Sequence, residues 1–229
     1  MPRPQCFHAG GALAAATLSA GLVAAFPAQA VLNSTVSVSL LAPGGVVGNP
    51  TPITAVDVVS PGAGNEIQAG DGTNIGSNML PGELINFQGD SILVHVAAGA
   101  SNGSGQSITG LLGLGPLHAM YRFDNLAPAG QQITGITLGA GDGFTFAGFS
   151  GVASPASPGS YIHLASPTSV TFDLDTLVFK DRGAGQSGDF GEFRIDLTLA
   201  PSAVPEPAQA SLLAAGLLVL WAGRRRRAR

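Results

Sequence analysis

Thr35-Val36-Ser37-Val38-Ser39-Leu40-Leu41 decides the fold, because apolar and polar residues alternate and Val36, Val38 and Leu40 fall on one side. A period of two puts every second side chain on one face of an extended strand, whereas a helix repeats near 3.6. Similar runs follow at 53–59, 84–87, 91–97, 108–112, 119–123, 133–138, 144–149, 161–164, 169–174, 177–180 and 192–199. Turn formers separate them: Ala42-Pro43-Gly44-Gly45, Ser60-Pro61-Gly62, Gly70-Asp71-Gly72, Leu80-Pro81-Gly82 and Ala140-Gly141-Asp142-Gly143. Each offers a positive φ or a proline-fixed φ where a strand must reverse. Short strands at regular spacing, with no amphipathic helix between them, predict an all-β fold, an antiparallel β-sandwich or jelly roll. A parallel β-helix is the alternative in a chain with 33 glycines. That fold needs a fixed short repeat, and no six- or nine-residue period is present.

The two ends read differently. Arg3 precedes an apolar run from Ala12 to Phe26, and Pro27-Ala28-Gln29-Ala30 closes it with small residues. This is the pattern of a secretory signal peptide over 1–30, with Ala28 and Ala30 read by signal peptidase and cleavage before Val31. Cys6 lies ahead of the apolar run, so it is not placed as the lipidated cysteine of a lipoprotein. At the other end, an Ala/Leu-rich span over 208–223 runs into Arg224-Arg225-Arg226-Arg227. Leu and Val favour the bilayer centre by roughly 0.3–0.6 kcal/mol each, while an Arg there costs about 2.5–3.5 kcal/mol. The arginines are therefore expected on the cytoplasmic side, with everything before Val204 outside.

Between these ends lies an ectodomain, 31–201. From Val31 to Ala203 there are four cations (Arg122, Lys180, Arg182, Arg194) against thirteen acids, nine net negative charges hidden within a chain of net charge −4. Such a surface repels nucleic acid and anionic polysaccharide. The only cysteine is Cys6, so the exported part has no disulfide and must rest on a packed core. About 170 residues suffice for one core.

Val204-Pro205-Glu206-Pro207, the span containing Leu212-Leu213-Ala214-Ala215-Gly216-Leu217-Leu218, and the arginine block together resemble the PEP-CTERM sorting signal, here over 202–229. The resemblance covers only Val204 to Arg227. It implies an exported protein of exopolysaccharide-producing bacteria, recognised by exosortase, a multi-pass membrane processing enzyme, and processed near the Pro-Glu-Pro motif. No activity of the ectodomain follows from it. The physics agrees with a temporary anchor: sixteen residues of helix over 208–223 reach about 24 Å, short of a hydrocarbon core of roughly 30 Å. Snorkelling arginines cover part of the deficit. Pro205 and Pro207 resist helix and keep 204–207 extended and open to an enzyme. A plain single-span anchor with a proline-containing stalk is the alternative.

Candidate chemistry is sparse. Gly99-Ala100-Ser101-Asn102-Gly103 matches Gly-x-Ser-x-Gly after a strand, yet a nucleophile elbow needs a helix next and Ser104-Gly105-Gln106-Ser107 has no helical period. His95, His118 and His163 show no metal-ligand spacing, and His95 takes the polar face of its strand. The acidic stretch 173–196 is richer. Asp173 and Asp175 would share a strand face, and Asp181, Asp189 and Glu192 flank the glycine-rich 183–188. Calcium takes six to eight oxygens in loose geometry, so Asp181, Asp189 and Glu192 form a candidate calcium site. The competing reading is a solvated hairpin whose charges protect a sheet edge. Gly70-Asp71-Gly72 is a second candidate that an Asp-Gly turn also explains. Outside the two ends there is no Trp for sugar stacking, since Trp221 lies in the anchor.

The expectation is a non-enzymatic surface or matrix protein without a required cofactor. Its expected route is an inner-membrane single-pass precursor, then the cell surface or extracellular matrix, in contact with exopolysaccharide. The alternatives are a calcium-dependent adhesive module, or a secreted glycan hydrolase using carboxylates such as Asp173 and Asp175.

Overall fold

Alternation in the sequence becomes alternation in burial: along Val36–Ala42, Val36, Val38, Leu40 and Ala42 are buried and the residues between them are half-buried. A computed structural model describes residues 32–62, 64–138, 149–155, 158–181 and 188–202. The signal peptide, the sorting motif, the span 208–223 and Arg224–Arg227 lie outside them, as does most of the run 144–149. Among the described residues no helix is long and apolar enough to cross a membrane.

The described residues form fifteen strands and two 3-10 turns, with no α-helix. In chain order the first five are β1 (Val36–Ala42), β2 (Ile53–Val59), β3 (Ile67–Gln68), β4 (Leu84–Gln88) and β5 (Ser91–Ala97). Next come β6 (Ala100–Ser101), β7 (Ser107–Ile108), β8 (Met120–Asp124), β9 (Gln131–Leu138) and β10 (Phe149–Ser150). The last are β11 (Val152–Ser154), β12 (Ile162–Ser166), β13 (Ser169–Asp173), β14 (Val178–Phe179) and β15 (Phe190–Pro201). They assemble three antiparallel sheets. One runs β12-β13-β8-β1-β2, the second β10-β15-β5-β4-β3 with β9 also on β15, and the small third β11-β14-β7-β6.

The two larger sheets share one apolar core. Val38, Leu40, Phe123 and Phe172 come from the first, and Phe87, Val94, Phe193 and Ile195 from the second. Rings meet across the layers: Phe87 of β4 stands edge-on to Phe123 of β8 at 6.0 Å, and Phe172 of β13 to Phe193 of β15 at 4.6 Å. Each fully buried aliphatic or Phe side chain contributes about 1.5–3 kcal/mol by leaving water, and edge-to-face geometry adds a little more.

Differences from the sequence reading have local causes. The run 108–112 pairs only at Ser107–Ile108, because Gly110 adopts φ +85° and turns the chain out of the ladder; Leu111 then makes a single bridge to Val46. Strands β3, β6 and β11 have two or three residues, too few to show any period. His95 faces Glu192 across the β5–β15 ladder, the polar side expected of it, yet that side is largely covered. β5 is central in its sheet, Ser91 through Val94 are all buried, and the half-buried His95 ring stacks on Phe190 at 4.5 Å.

The two poles differ. At one, Asn33 N–H bonds to Leu126 O and Ser202 N–H to Gly130 O, so both ends of the domain leave together. The opposite pole carries the turn after β1, the β6–β7 hairpin and the segments 110–118 and 174–177. Gly44 N–H bonds there to Leu112 O, and Leu174 N–H to Ala119 O.

Candidate functional site

The far pole gathers the titratable groups that the sequence scatters. β13 ends at Asp173, and Leu174–Leu177 closes a turn through Leu177 N–H to Leu174 O at 3.3 Å. Asp175 therefore sits beyond the strand, and the two carboxylates do not share a strand face. Each meets its own imidazole: His118 Nδ1 is 3.0 Å from Asp175 Oδ1, and His163 Nε2 is 3.4 Å from Asp173 Oδ2. Gly113 permits this corner, since a Cβ there would overlap Asp175 Oδ2 and Leu117 O. Hydrogen bonding to Asp175 raises the His118 pKa, against a smaller effect of its own burial, and the charge of Asp175 adds to the rise. Burial pushes Asp173 up, and the neighbouring His118 and His163 only partly oppose that. An imidazole held at Nδ1 by a carboxylate keeps Nε2 for solvent or a ligand. The His118 side chain is 48% exposed, however, so this arrangement lies on an open surface.

The three residues of the calcium reading lie beside β14 and on or beside β15. Asp189 precedes β15, where the Ser107 hydroxyl donates to its Oδ2 and Ala98 N–H to its backbone oxygen at 2.9 Å. Glu192 lies on β15 opposite His95, with Oε1 3.6 Å from the imidazole Nδ1. Asp181 is exposed just after β14, and 182–187 lie outside the described residues. Among the described residues, no group of three or more His, Cys, Asp or Glu converges closely enough to hold a metal ion. In the second candidate, Asp71 uses its oxygens on its own loop. They accept Gln68 N–H at 2.7 Å, Thr73 N–H at 2.8 Å and the Thr73 hydroxyl at 2.6 Å. Burial pushes Asp71 up, and these hydrogen bonds outweigh it, so its pKa is lowered.

Gly99–Gly103 opens a hairpin. Ser101 ends β6, Ser104 N–H and Gln106 N–H donate to Asn102 Oδ1, and β7 follows at Ser107. No helix presents Ser101, which is exposed. The Gly-x-Ser-x-Gly match therefore lacks the strand–turn–helix geometry of a nucleophile elbow.

Glu83 escaped the sequence reading. It follows the Pro81-Gly82 turn, is only 7% exposed, and accepts Leu80 N–H on Oε2 and Ala97 N–H on Oε1, both at 2.8 Å. Burial raises its pKa to about 7, although both backbone donors pull the other way. It lines a cleft of about 210 Å³ with Val46, Asn78, Leu80, Gly99 and Leu111. A single Glu after a turn carries no periodic signal, so only the tertiary structure distinguishes it from the other acids.

Val204–Pro207, Arg224–Arg227, Ala28, Ala30 and Val31 lie outside the described residues. No known protein family, curated protein or solved structure matches this chain.

Proposed function

We propose that this chain is an exported, non-enzymatic surface or matrix protein whose β-sandwich is delivered by a signal peptide and held by a C-terminal sorting signal. The observation that carries the proposal is the order Val204-Pro205-Glu206-Pro207, apolar span, Arg224-Arg225-Arg226-Arg227. Signal peptidase removes 1–30, the span 208–223 anchors the precursor in the inner membrane, and an exosortase-type enzyme processes it near Glu206. The product passes to the cell surface or to an exopolysaccharide matrix.

Three features support this reading. Two antiparallel sheets around one core are what a sandwich requires. A domain with no cysteine beyond Cys6 gains nothing from, and risks nothing in, an oxidising exterior. Both domain ends leave one pole, which suits a tether on that side. The hydrolase alternative calls for two carboxylates facing each other across a cleft. Asp173 is instead buried at the strand end and Asp175 lies beyond it, each held by its own imidazole.

Mass spectrometry of the protein from membrane, medium and matrix fractions tests the proposal. The expected result is a mature N-terminus at Val31 and, away from the membrane, a C-terminus near Pro207. Full-length chains confined to the membrane would overturn the sorting role in favour of a plain anchor.

A further inference from the structure

Five acids of this domain face an arginine or an imidazole. Arg122 takes Asp124 at 2.9 Å, Arg194 takes Asp196 at 2.8 Å, and imidazoles face Asp173, Asp175 and Glu192. Asp57, Glu66 and Asp71 also accept backbone N–H groups, but of these four acids Glu83 alone is buried, and among the described residues no Lys, Arg or His pairs with it. Its two donors are neutral backbone N–H groups, and its charge adds to the rise in the pKa of the Tyr121 phenol of β8. Ionised and buried without a cation, a carboxylate carries an uncompensated desolvation penalty.

The cleft beside it has the character of a small binding site. Val46, Val47, Leu80 and Leu111 supply apolar walls, and Gly99, Ala100 and Gly110 leave the space open. Its 210 Å³ would hold about seven waters at roughly 30 Å³ each, too little for a drug-sized ligand and enough for a short organic cation. Asn78 donates one Nδ2–H to Asn74 O and adds its carboxamide to the wall. Each Glu83 oxygen, having accepted one N–H, keeps a further lone pair. An ammonium carries three donors and no acceptor, which complements the remaining lone pairs of Glu83 and the carboxamide oxygen of Asn78.

We propose that the cleft between the Val46–Val47 turn, the Leu80–Glu83 turn and the β6–β7 hairpin binds a compact primary alkylammonium, with Glu83 as its counter-ion. The alkyl part packs on Val46, Leu80 and Leu111, and the ammonium donates to Glu83 and Asn78. Binding of the cation favours ionised Glu83. At pH 7, where the free carboxyl is about half protonated, each binding event therefore releases about half a proton.

Isothermal titration calorimetry of the full chain in neutral detergent tests this, with propylammonium chloride at pH 7 in two buffers of different ionisation enthalpy. Propanol and sodium chloride at matched concentration are the controls. The expected result is saturable propylammonium binding with release of about half a proton, no binding of propanol, and affinity lowered about tenfold or more in Glu83→Gln. Absence of saturable binding, binding without proton release, or equal binding of propanol would overturn the proposal. Should Glu83→Gln fail to fold, the wild-type proton count decides alone.

Discussion

The segment from Asp57 to Glu83 and the corner around His118 and Asp175 both depend on carboxylates, but they use them in different ways. In the first, acids hold backbone. Asp57 accepts Asn74 N–H, Ile75 N–H and the Asn74 amide, Glu66 accepts Gly62 N–H and Phe87 N–H, and Asp71 closes its own turn. In the second, acids hold imidazoles. Backbone N–H groups do not titrate and cannot rotate away, so the first arrangement stiffens the irregular stretch after β2, which up to Glu83 has only the two-residue β3 and a 3-10 turn. Imidazoles titrate near neutrality and sit at the surface, so the second is weaker and sensitive to pH.

The strongest way to break this contrast is Gly76→Ala. A Cβ there would overlap Asp71 Oδ1, Gln68 O and Thr73 Oγ1, and Gly76 is itself buried. Overpacking against fixed backbone should destabilise the fold by about 3 kcal/mol or more, read from urea unfolding. Next comes the pH dependence set by Glu83. Its folded pKa of about 7 exceeds the ordinary 4.5, so its stabilising effect is complete below pH 4.5 and is lost as pH rises to 7. That loss should be about 2–3 kcal/mol by linkage. The raised pKa of Asp173 has the same sign. Denaturation midpoints against pH should therefore fall less steeply in Glu83→Gln than in the wild type; an unchanged slope would assign the effect to another acid.

Asp57→Ala follows, because it strips the partner from the N–H of the fully buried Ile75. The expected loss is about 2 kcal/mol, with protease sensitivity rising within 60–83. The smallest effect is that of His118→Ala, under about 1 kcal/mol, since the interaction with Asp175 is exposed and screened by salt. In the wild type it should be present below pH 6.5 and vanish as pH passes the raised His118 pKa, visible in an imidazole proton titration. A destabilisation by His118→Ala as large as that by Asp57→Ala would remove the distinction between the two regions.

Much of the fold was legible because period-two alternation survives where a strand packs one face on the core, as along β1. The runs at 53–59 and 91–97 coincide with β2 and β5. Where the ladder depends on a φ, as at Gly110, or on two paired residues, as in β6, composition carries no trace. The corner at His118 was invisible for a different reason. Its imidazoles and carboxylates are brought together by the β13–β8 and β12–β13 pairings, so no linear spacing encodes it. Asp173 and Asp175 did stand out, but the strand was expected to continue to Leu174 and it stops at Asp173. Glu83 left no mark at all, because one acid after a Pro-Gly turn looks like any solvated turn residue until Ala97 closes over it.

A last consequence concerns mechanical load. Tension on a stalk attached after Ser202 would enter along β15, the twelve-residue strand. That strand is paired over 190–196 with β5 and over 195–201 with β9. Pulled along its axis, it resists in shear, with many hydrogen bonds sharing the force instead of opening one at a time. A domain gripped at its far pole and pulled from Ser202 would therefore withstand load best along the axis of β15.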